Sequence, residues 1–294
     1  MPRLPGWSPE STRSFGSDLA PNRALNTGAP LIELRHVTVV RDLDRSAVRP
    51  ALDDVTLAID AGEHVCILGP NGCGKSTLIK TITRECYPLA RAGSSVRILG
   101  RDRWNVFELR AMLGIVTPDL LAACSTGATG RDVVLSGFFS STRIFRHHEP
   151  DVAQTARADD LLDRFGVLHL ADVAVSRMSS GEAKRVLIAR ALVHDPSSLL
   201  LDEPGNALDV AAHSALLGTM SELARAGIGV VLVTHHVSEI VPEIGRIVML
   251  REGRVLADGP KAELLTSERV SDLFGIGVQV HRDGDRYWLT TSDR

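Results

Sequence analysis

Aromatic residues, excess charge and long hydrophobic runs are all scarce in this chain of 294 residues. Aromatic side chains make up 4% of it and the formal net charge is −3, so no overall basic field would attract nucleic acid. No apolar run approaches the roughly 20 residues that a membrane-spanning helix requires. The first residues include Arg3 and Pro5 but no apolar segment, which is not the pattern of a secretory signal. We therefore expect neither direct binding of nucleic acid nor a membrane span.

Cysteine is also sparse and follows no ligand pattern. None of the four cysteines forms a C-x-x-C pair, and no histidine cluster has zinc spacing. This usage predicts a reducing, cytoplasmic setting without disulfides. His147-His148-Glu149 resembles half of a metal site, but no second ligand pair lies at useful spacing, so we interpret it as a solvated loop.

The order of apolar segments predicts an α/β fold. Short apolar runs typical of buried strands, such as Val65–Leu68 and Leu199–Leu201, alternate with segments of helical periodicity. This alternation is typical of a mainly parallel sheet covered by helices. Antiparallel strand patterns cluster towards the N-terminal end, and a mostly helical block occupies about 120–180.

The two ends of the chain differ from this core. Residues 1–30 combine Pro, Ser, Gly and Asn with little apolar pattern, which predicts a disordered tail. Residues 276–294 hold two short strand patterns around Asp283-Gly284, which predict a C-terminal β-hairpin extension. We expect residues 31–275 to form the main folded unit.

One stretch, here called the phosphate loop, carries a specific chemical motif. It joins an apolar strand pattern to an apolar helix pattern and reads Gly69-Pro70-Asn71-Gly72-Cys73-Gly74-Lys75-Ser76-Thr77. The spacing of its glycines, lysine and serine matches the P-loop, whose context is also strand, turn and helix. Glycine lets the loop turn its N–H groups inward, and the following helix adds the positive end of its dipole. We predict that all nine residues bind ATP.

Two side chains of this loop have predicted roles. Lys75 would reach the β- and γ-phosphates of ATP, and the Ser76 hydroxyl would ligate Mg²⁺. Cys73 is either an accessible thiol beside the nucleotide or a small residue without a chemical role.

A pair of carboxylates follows the second leucine-rich strand. Asp202 and Glu203 come directly after Leu199–Leu201 and precede Pro204. A strand of a parallel sheet delivers such residues to the edge where ligands bind. Asp202 would hold Mg²⁺, directly or through water, and Glu203 would polarise the water that attacks the γ-phosphate.

Further segments resemble a known family. They are a signature-like Met178-Ser179-Ser180-Gly181-Glu182 with its following helix 183–192, a D-loop-like Asn206-Ala207-Leu208-Asp209, and a switch-histidine-like Val233-Thr234-His235. In this order, and together with the phosphate loop, they resemble the ABC ATPases over about residues 31–270. The resemblance implies a P-loop NTPase core with a mainly parallel sheet, an N-terminal antiparallel β-subdomain and an inserted helical subdomain, placing an ABC-type nucleotide-binding domain at 31–275.

The same resemblance implies how ATP is held. In ABC ATPases two subunits pack head to tail, and each nucleotide lies between one phosphate loop and the other subunit's signature. The signature residues Ser179, Ser180, Gly181 and Glu182 would therefore contact ATP in trans. His235 would contact the γ-phosphate in cis, and Asp209 would act across the interface. Because the chain has a single P-loop, a homodimer is implied.

Two positions depart from the family pattern. Many ABC ATPases stack an aromatic side chain on adenine near the place of Arg41; here Arg41 either stacks its guanidinium on the base or lies solvated at the surface. At the usual glutamine of the Q-loop the chain has Pro118, which has no side-chain amide. Asp119 is a possible substitute near the metal. This second departure puts the coupling to transport in question, but not nucleotide binding.

The function predicted from these motifs is that of an ATP-binding and ATP-hydrolysing subunit of an ABC membrane transporter. It would use ATP and Mg²⁺, form a homodimer, and lie at the inner face of the membrane through a separate permease. The alternative is a soluble ABC-type ATPase with a regulatory, repair or ribosome-associated role. Such proteins usually carry two P-loops or a long insertion, which this sequence lacks, whereas Pro118 favours the alternative.

Overall fold

The computed structural model of the chain describes residues 29–40, 50–104, 109, 112–125 and 127–291. Most of the tail predicted at 1–30, and Arg41, lie outside these residues. The strands are β1 (Ile32–Val39), β2 (Leu52–Ile59), β3 (Val65–Leu68), β4 (Ser95–Ile98), β5 (Leu113–Val116), β6 (Ser198–Asp202), β7 (Gly229–Thr234), β8 (Arg246–Arg251), β9 (Arg254–Pro260), β10 (Val278–Asp283) and β11 (Arg286–Thr291).

The central sheet has the strand order β5-β6-β7-β3-β8-β9. Its first five strands are parallel, and β9 returns antiparallel to β8 through the turn at Glu252-Gly253. The inner strands β3 and β7 are buried along their whole length, which explains their unbroken apolar sequences. The predicted α/β fold with a mainly parallel sheet is confirmed.

A second sheet lies N-terminal in the chain and is antiparallel, with the order β2-β1-β4. On β2 the buried residues alternate with exposed ones from Val55 to Ile59. This alternation gives the sheet one apolar face, which packs on the main sheet and on the first helix.

The helices cover both faces of the main sheet. They are α1 (Lys75–Ile82), α2 (Pro118–Cys124), α3 (Gly130–Ser136), α4 (Val152–Arg164), α5 (Ser180–Ala191), α6 (Val210–Arg225), α7 (Lys261–Leu264) and α8 (Ser267–Phe274). Among the described residues, no helix has both the length and the apolar content to cross a bilayer. Helices α3, α4 and α5 each begin with a reciprocal cap between a side chain and the backbone three residues on.

Alternate residues of β3 supply two separate cores. Cys66 and Leu68 belong to one core, which includes α5, α6 and the end of the chain. Val65 and Ile67 belong to the other, which includes α1 and the antiparallel sheet. The phosphate loop, which follows Leu68, is therefore anchored on a strand that is held from both sides.

The last two strands form a hairpin that packs on the main core. Tyr287 on β11 is 6% exposed and belongs to the same core as Val237 and Ile240. The Lys261 ammonium lies 5.8 Å from the centroid of the Tyr287 ring and donates to the carbonyl of Pro242 at 2.9 Å. The hairpin thus lies against the segment that follows the end of β7.

Candidate functional site

The phosphate loop has a backbone that only glycine tolerates at two points. Gly74 has a φ of 112° and precedes α1, and a β-carbon there would come within 2.5 Å of the Ala51 carbonyl oxygen. A β-carbon at Gly69 would lie 2.2 Å from the Leu250 carbonyl oxygen. The loop therefore packs directly on the backbone at Ala51 and Leu250, and these backbone contacts rather than large side chains fix its shape.

Lys75 is the buried cation of this loop. Its side chain is 5% exposed, and its ammonium donates to the carbonyl oxygens of Gly69 at 2.8 Å and Pro70 at 3.0 Å. The same nitrogen lies 3.3 Å from Oε1 of Glu203. A phosphate group bound in the loop would be a stronger acceptor for this ammonium than the two neutral carbonyls.

The remaining loop residues divide between surface and interior. Asn71 and Ser76 are exposed and line a cavity of about 570 Å³, whereas Thr77 is buried. Gly72 is exposed with a φ of 78°. Cys73 is 4% exposed, and burial raises the pKa of its thiol. Of the two alternatives for Cys73, the structure favours a small buried residue over an accessible thiol.

Asp202 lies at the end of β6 and lines the same cavity as Ser76. Burial, with the adjacent Glu203 carboxylate, raises its pKa to about 6, although the Lys75 ammonium acts in the opposite direction. A hydroxyl and a carboxylate at the edge of a polar cavity are oxygen donors of the kind that Mg²⁺ takes together with water and phosphate. The residues therefore fit the predicted ion, whose charge would favour the ionised form of Asp202.

Glu203 has a strained backbone and three neighbours around its carboxylate. Its φ is 45°, in the left-handed region, and its N–H donates to the Val233 carbonyl at 2.8 Å. Asn206 donates to Oε2, and Nδ1 of His235 lies 3.0 Å from Oε1. Burial acts to raise the pKa of Glu203, but the Asn206 hydrogen bond and the proximity of His235 and Lys75 outweigh it and lower that pKa.

His235 follows the last residue of β7 and is 22% exposed. Its Nδ1 atom is buried and faces Oε1 of Glu203 at 3.0 Å. The centroid of the His236 ring lies 3.8 Å from that of the His235 ring, and burial lowers the pKa of His236. The structure thus brings together Lys75, Asp202, Glu203 and His235 where the carboxyl ends of the parallel strands meet.

The signature residues lie elsewhere in the same chain. Ser179 caps α5: its hydroxyl donates to Oε2 of Glu182 at 2.8 Å and accepts from the Glu182 N–H at 3.3 Å. The hydrogen bonds that Oε2 of Glu182 accepts from the Ser179 N–H and hydroxyl, with the Arg185 charge, lower the pKa of Glu182 against the effect of its burial. Ser180 is exposed in the first turn, and Gly181 packs so closely on Ala212 that a β-carbon would lie 2.9 Å from its Cβ.

Asp209 lies with the signature residues and not with Lys75 and Glu203. It caps α6, accepting from the Ala212 N–H at 2.7 Å, and its side chain is exposed. Ser179, Gly181 and Asp209 line one cavity of about 310 Å³, which shares no lining residue with the 570 Å³ cavity.

Pro118, which stands where ABC ATPases usually have the Q-loop glutamine, begins helix α2. Thr117 caps α2 by accepting from the Leu120 N–H at 3.2 Å, and Pro118 is the first residue of the helix. The Asp119 carboxylate, 75% exposed, lies 2.8 Å from the Lys80 ammonium. Both side chains line the 570 Å³ cavity, and the role of Asp119 near a metal stays a prediction.

Sequence reasoning missed two polar side chains of the site. The sequence places Asn206 in the D-loop-like motif but does not by itself indicate that it donates a hydrogen bond to Glu203. The signal for that bond is the position of Asn206, three residues after Glu203. Lys184 on α5 donates to the carbonyls of Pro204 and Asn206 and so fixes the turn after Glu203. Nothing in the local sequence of Lys184 points to that contact.

A strand, phosphate loop and helix at the edge of a mainly parallel sheet, followed by paired carboxylates, define a P-loop ATPase. Comparison with known proteins narrows the class. The family model described as ABC transporter matches residues 52–206. The hemin import ATP-binding protein HmuV of Nocardia farcinica is 33% identical over 272 residues, which cover 92% of this chain and 90% of that protein.

Two other known proteins extend the comparison. The ferric enterobactin transport ATP-binding protein FepC of Escherichia coli is 29% identical over 79% of this chain and 84% of its own length. A solved dimeric ATP-binding cassette, in a post-hydrolysis state bound to ADP and phosphate, superposes with a TM-score of 0.65 at 26% identity. The match covers 78% of this chain and 98% of that one.

The chain belongs to the ABC transporter family. It is an ATP-binding and ATP-hydrolysing subunit of that family, as the motifs predicted.

Proposed function

We propose that two copies of the chain pack head to tail and enclose two ATP molecules, each with a Mg²⁺ ion. The observation that carries this proposal is the separation of two cavities within one chain. Asn71 and Ser76 of the phosphate loop line one together with Glu203, and Ser179 and Asp209 line the other. A second copy would bring the two groups together around one nucleotide. The dimeric form of the solved cassette supports the same arrangement.

In this arrangement each group has a distinct task. Ser76 and Asp202 would hold the Mg²⁺ ion, which neutralises phosphate charge when bound. Lys75 and the loop N–H groups bind the phosphates, while Glu203 takes a proton from the attacking water. The exposed N-terminus of α5 at Ser179 presents its N–H groups and dipole to the γ-phosphate from the other subunit.

Replacing Ser179 with arginine tests the trans contact. In a Glu203→Gln background, Ser179→Arg should abolish the ATP-induced dimer in gel filtration, because the long side chain would occupy the γ-phosphate position. The affinity of the monomer for ATP should stay within about twofold, since Ser179 is not near its own phosphate loop. Ser179→Ala is the matched control: it loses the same helix cap, about 1 kcal/mol of stability, without adding bulk. A loss of ATP affinity in the arginine variant would place Ser179 in cis.

We further propose that the subunit drives import of a metal chelate through a separate permease at the inner face of the membrane. The hemin and ferric enterobactin transport proteins among its relatives support this substrate class. In the 570 Å³ cavity, we assign the part lined by the start of α2 and the end of α5 to the permease, and the part lined by Ser76 and Asp202 to ATP and Mg²⁺. The cavity wall includes Asp119 and Lys80, so partner and active site would share a boundary.

Tagged Glu203→Gln protein, trapped with ATP in its own cells, tests this proposal. The protein would be purified separately from membrane and soluble fractions. A polytopic membrane protein present in stoichiometric amount is the expected result, and binding of hemin or a ferric chelate by that complex would identify the substrate class. A soluble dimer with ribosomal or regulatory partners would instead favour the second candidate, a non-transport ATPase, for which Pro118 at the Q-loop is the specific argument.

A further inference from the structure

A buried carboxylate that no predicted role uses lies directly behind the active-site edge. Glu239 ends the short 3₁₀ turn Val237–Glu239, four positions after His235, and is 1% exposed. Burial of a carboxylate is costly unless hydrogen bonds and charges satisfy it. The partners of Glu239 therefore indicate what its burial achieves.

One oxygen of Glu239 holds the loop that carries His235. Its Oε2 accepts from the Thr234 hydroxyl at 2.6 Å, and the Thr234 oxygen in turn accepts from the His236 N–H at 2.9 Å. Both groups belong to the residues that flank His235. The carboxylate thus fixes the chain on either side of that histidine.

The other oxygen of Glu239 supports the loop that carries Glu203. Gly205 lies so close that a β-carbon there would be 2.1 Å from Oε1, and Nε2 of His213 on α6 is 3.8 Å from the same oxygen. Lys184 also contacts this turn and donates to the carbonyls of Pro204 and Asn206. The turn after Glu203 is therefore held by a buried carboxylate and a half-buried ammonium.

Glu203 needs such support because its backbone is strained. A non-glycine residue at a φ of 45° holds that conformation only where its surroundings fix it. The carboxylate of Glu203 must also stay near both Lys75 and His235, which belong to different loops. One residue that contacts both the Glu203 turn and the His235 segment can keep their spacing constant.

We propose that Glu239 is a positioning residue for ATP hydrolysis: it holds the Glu203 turn and the His235 segment in one fixed arrangement without touching the nucleotide. Its removal should leave ATP binding largely intact, because Glu239 contacts Thr234, Gly205 and His213 rather than a side chain of the phosphate loop. It would lower the rate of the chemical step, since small displacements of a general base reduce catalysis by up to about 100-fold.

The test is steady-state ATP hydrolysis by the full-length protein carrying Glu239→Ala or Glu239→Gln. For the alanine variant we expect kcat to fall about 30-fold with the KM for ATP within about twofold. The glutamine variant keeps an oxygen that accepts from Thr234, so we expect it to recover most of that loss. The matched control is Glu243→Gln, because Glu243 lies on the same segment but pairs with Ser221 and Arg225. It should leave kcat unchanged.

Thr234→Val provides a second, independent test of the proposal if Glu239→Ala does not fold. This variant of similar shape removes the hydroxyl that donates to Glu239, so it should lower kcat with unchanged KM. It should also lower the thermal midpoint, because a buried carboxylate oxygen and the His236 N–H lose their partner. Where Glu239→Ala folds, combining it with Thr234→Val should give a loss smaller than the sum of the two single losses, as expected for groups in one network. An unchanged kcat in Thr234→Val, or a loss that is confined to thermal stability, would overturn the proposal and leave Glu239 a structural residue.

Discussion

Glu203→Gln is expected to lower kcat for ATP hydrolysis by about 1000-fold, because a positioned general base contributes roughly 10²- to 10⁴-fold to such reactions. The glutamine keeps the shape of the side chain and can still accept from Asn206, so the site should fold and bind ATP. Binding without turnover should accumulate the ATP-bound dimer. Phosphate release and gel filtration with ATP measure the two effects on the same sample.

The control for this prediction is Glu85→Gln. Glu85 lines the same 570 Å³ cavity, but its carboxylate accepts from Thr83 rather than lying near Lys75. We expect its hydrolysis rate to match that of the unmodified chain. If Glu203→Gln kept more than about a tenth of the activity, Glu203 could not be the base, and another acceptor of the water proton would have to be sought.

Lys75→Ala is expected to weaken ATP binding by at least about 100-fold and to remove measurable hydrolysis, since a phosphate-clamping cation in a buried site typically contributes that much or more. The effect is large because the ammonium is 5% exposed and lies between the loop carbonyls and Glu203. Its loss leaves those carbonyls without their donor and removes a positive charge from beside the partly buried Glu203 carboxylate. Isothermal titration with ATP, and an assay of phosphate release, measure both consequences.

Lys80→Ala separates the effect of charge from that of position. Lys80 is on the same helix and lines the cavity, but its ammonium pairs with Asp119 instead of the loop carbonyls. ATP affinity in this variant should stay within about threefold. Ordinary turnover by Lys75→Ala, or an equal loss in both variants, would contradict the assignment of the phosphate loop.

The sequence was informative where the chemistry is local. The phosphate loop depends on nine consecutive residues, and the role of Asp202 depends only on its place at the end of a buried strand. Such patterns carry their own context, so the fold class and family followed from them and were confirmed. The start of α5 at Ser180, three residues before the helix segment 183–192 of the family motif, reflects a reciprocal cap between Ser179 and Glu182.

The support of the site could not be predicted in the same way. Gly205 and Glu239 are 34 positions apart, and their contact exists only because β6 and β7 are neighbours in the sheet. The left-handed backbone of Glu203 is likewise imposed by its surroundings and not by its own preference. Arg41 lies outside the described residues, so its place beside the base stays a prediction.

The C-terminal hairpin has a consequence for the synthesis of the protein. Strand β11 packs against the turn Val237–Glu239, and Tyr287 completes the core behind it. A ribosome must therefore add some fifty further residues after His235 before the surroundings of that histidine are complete. We expect prematurely terminated chains that lack the hairpin to be deficient in hydrolysis. ATP consumption would then be confined to chains that have been translated through the hairpin.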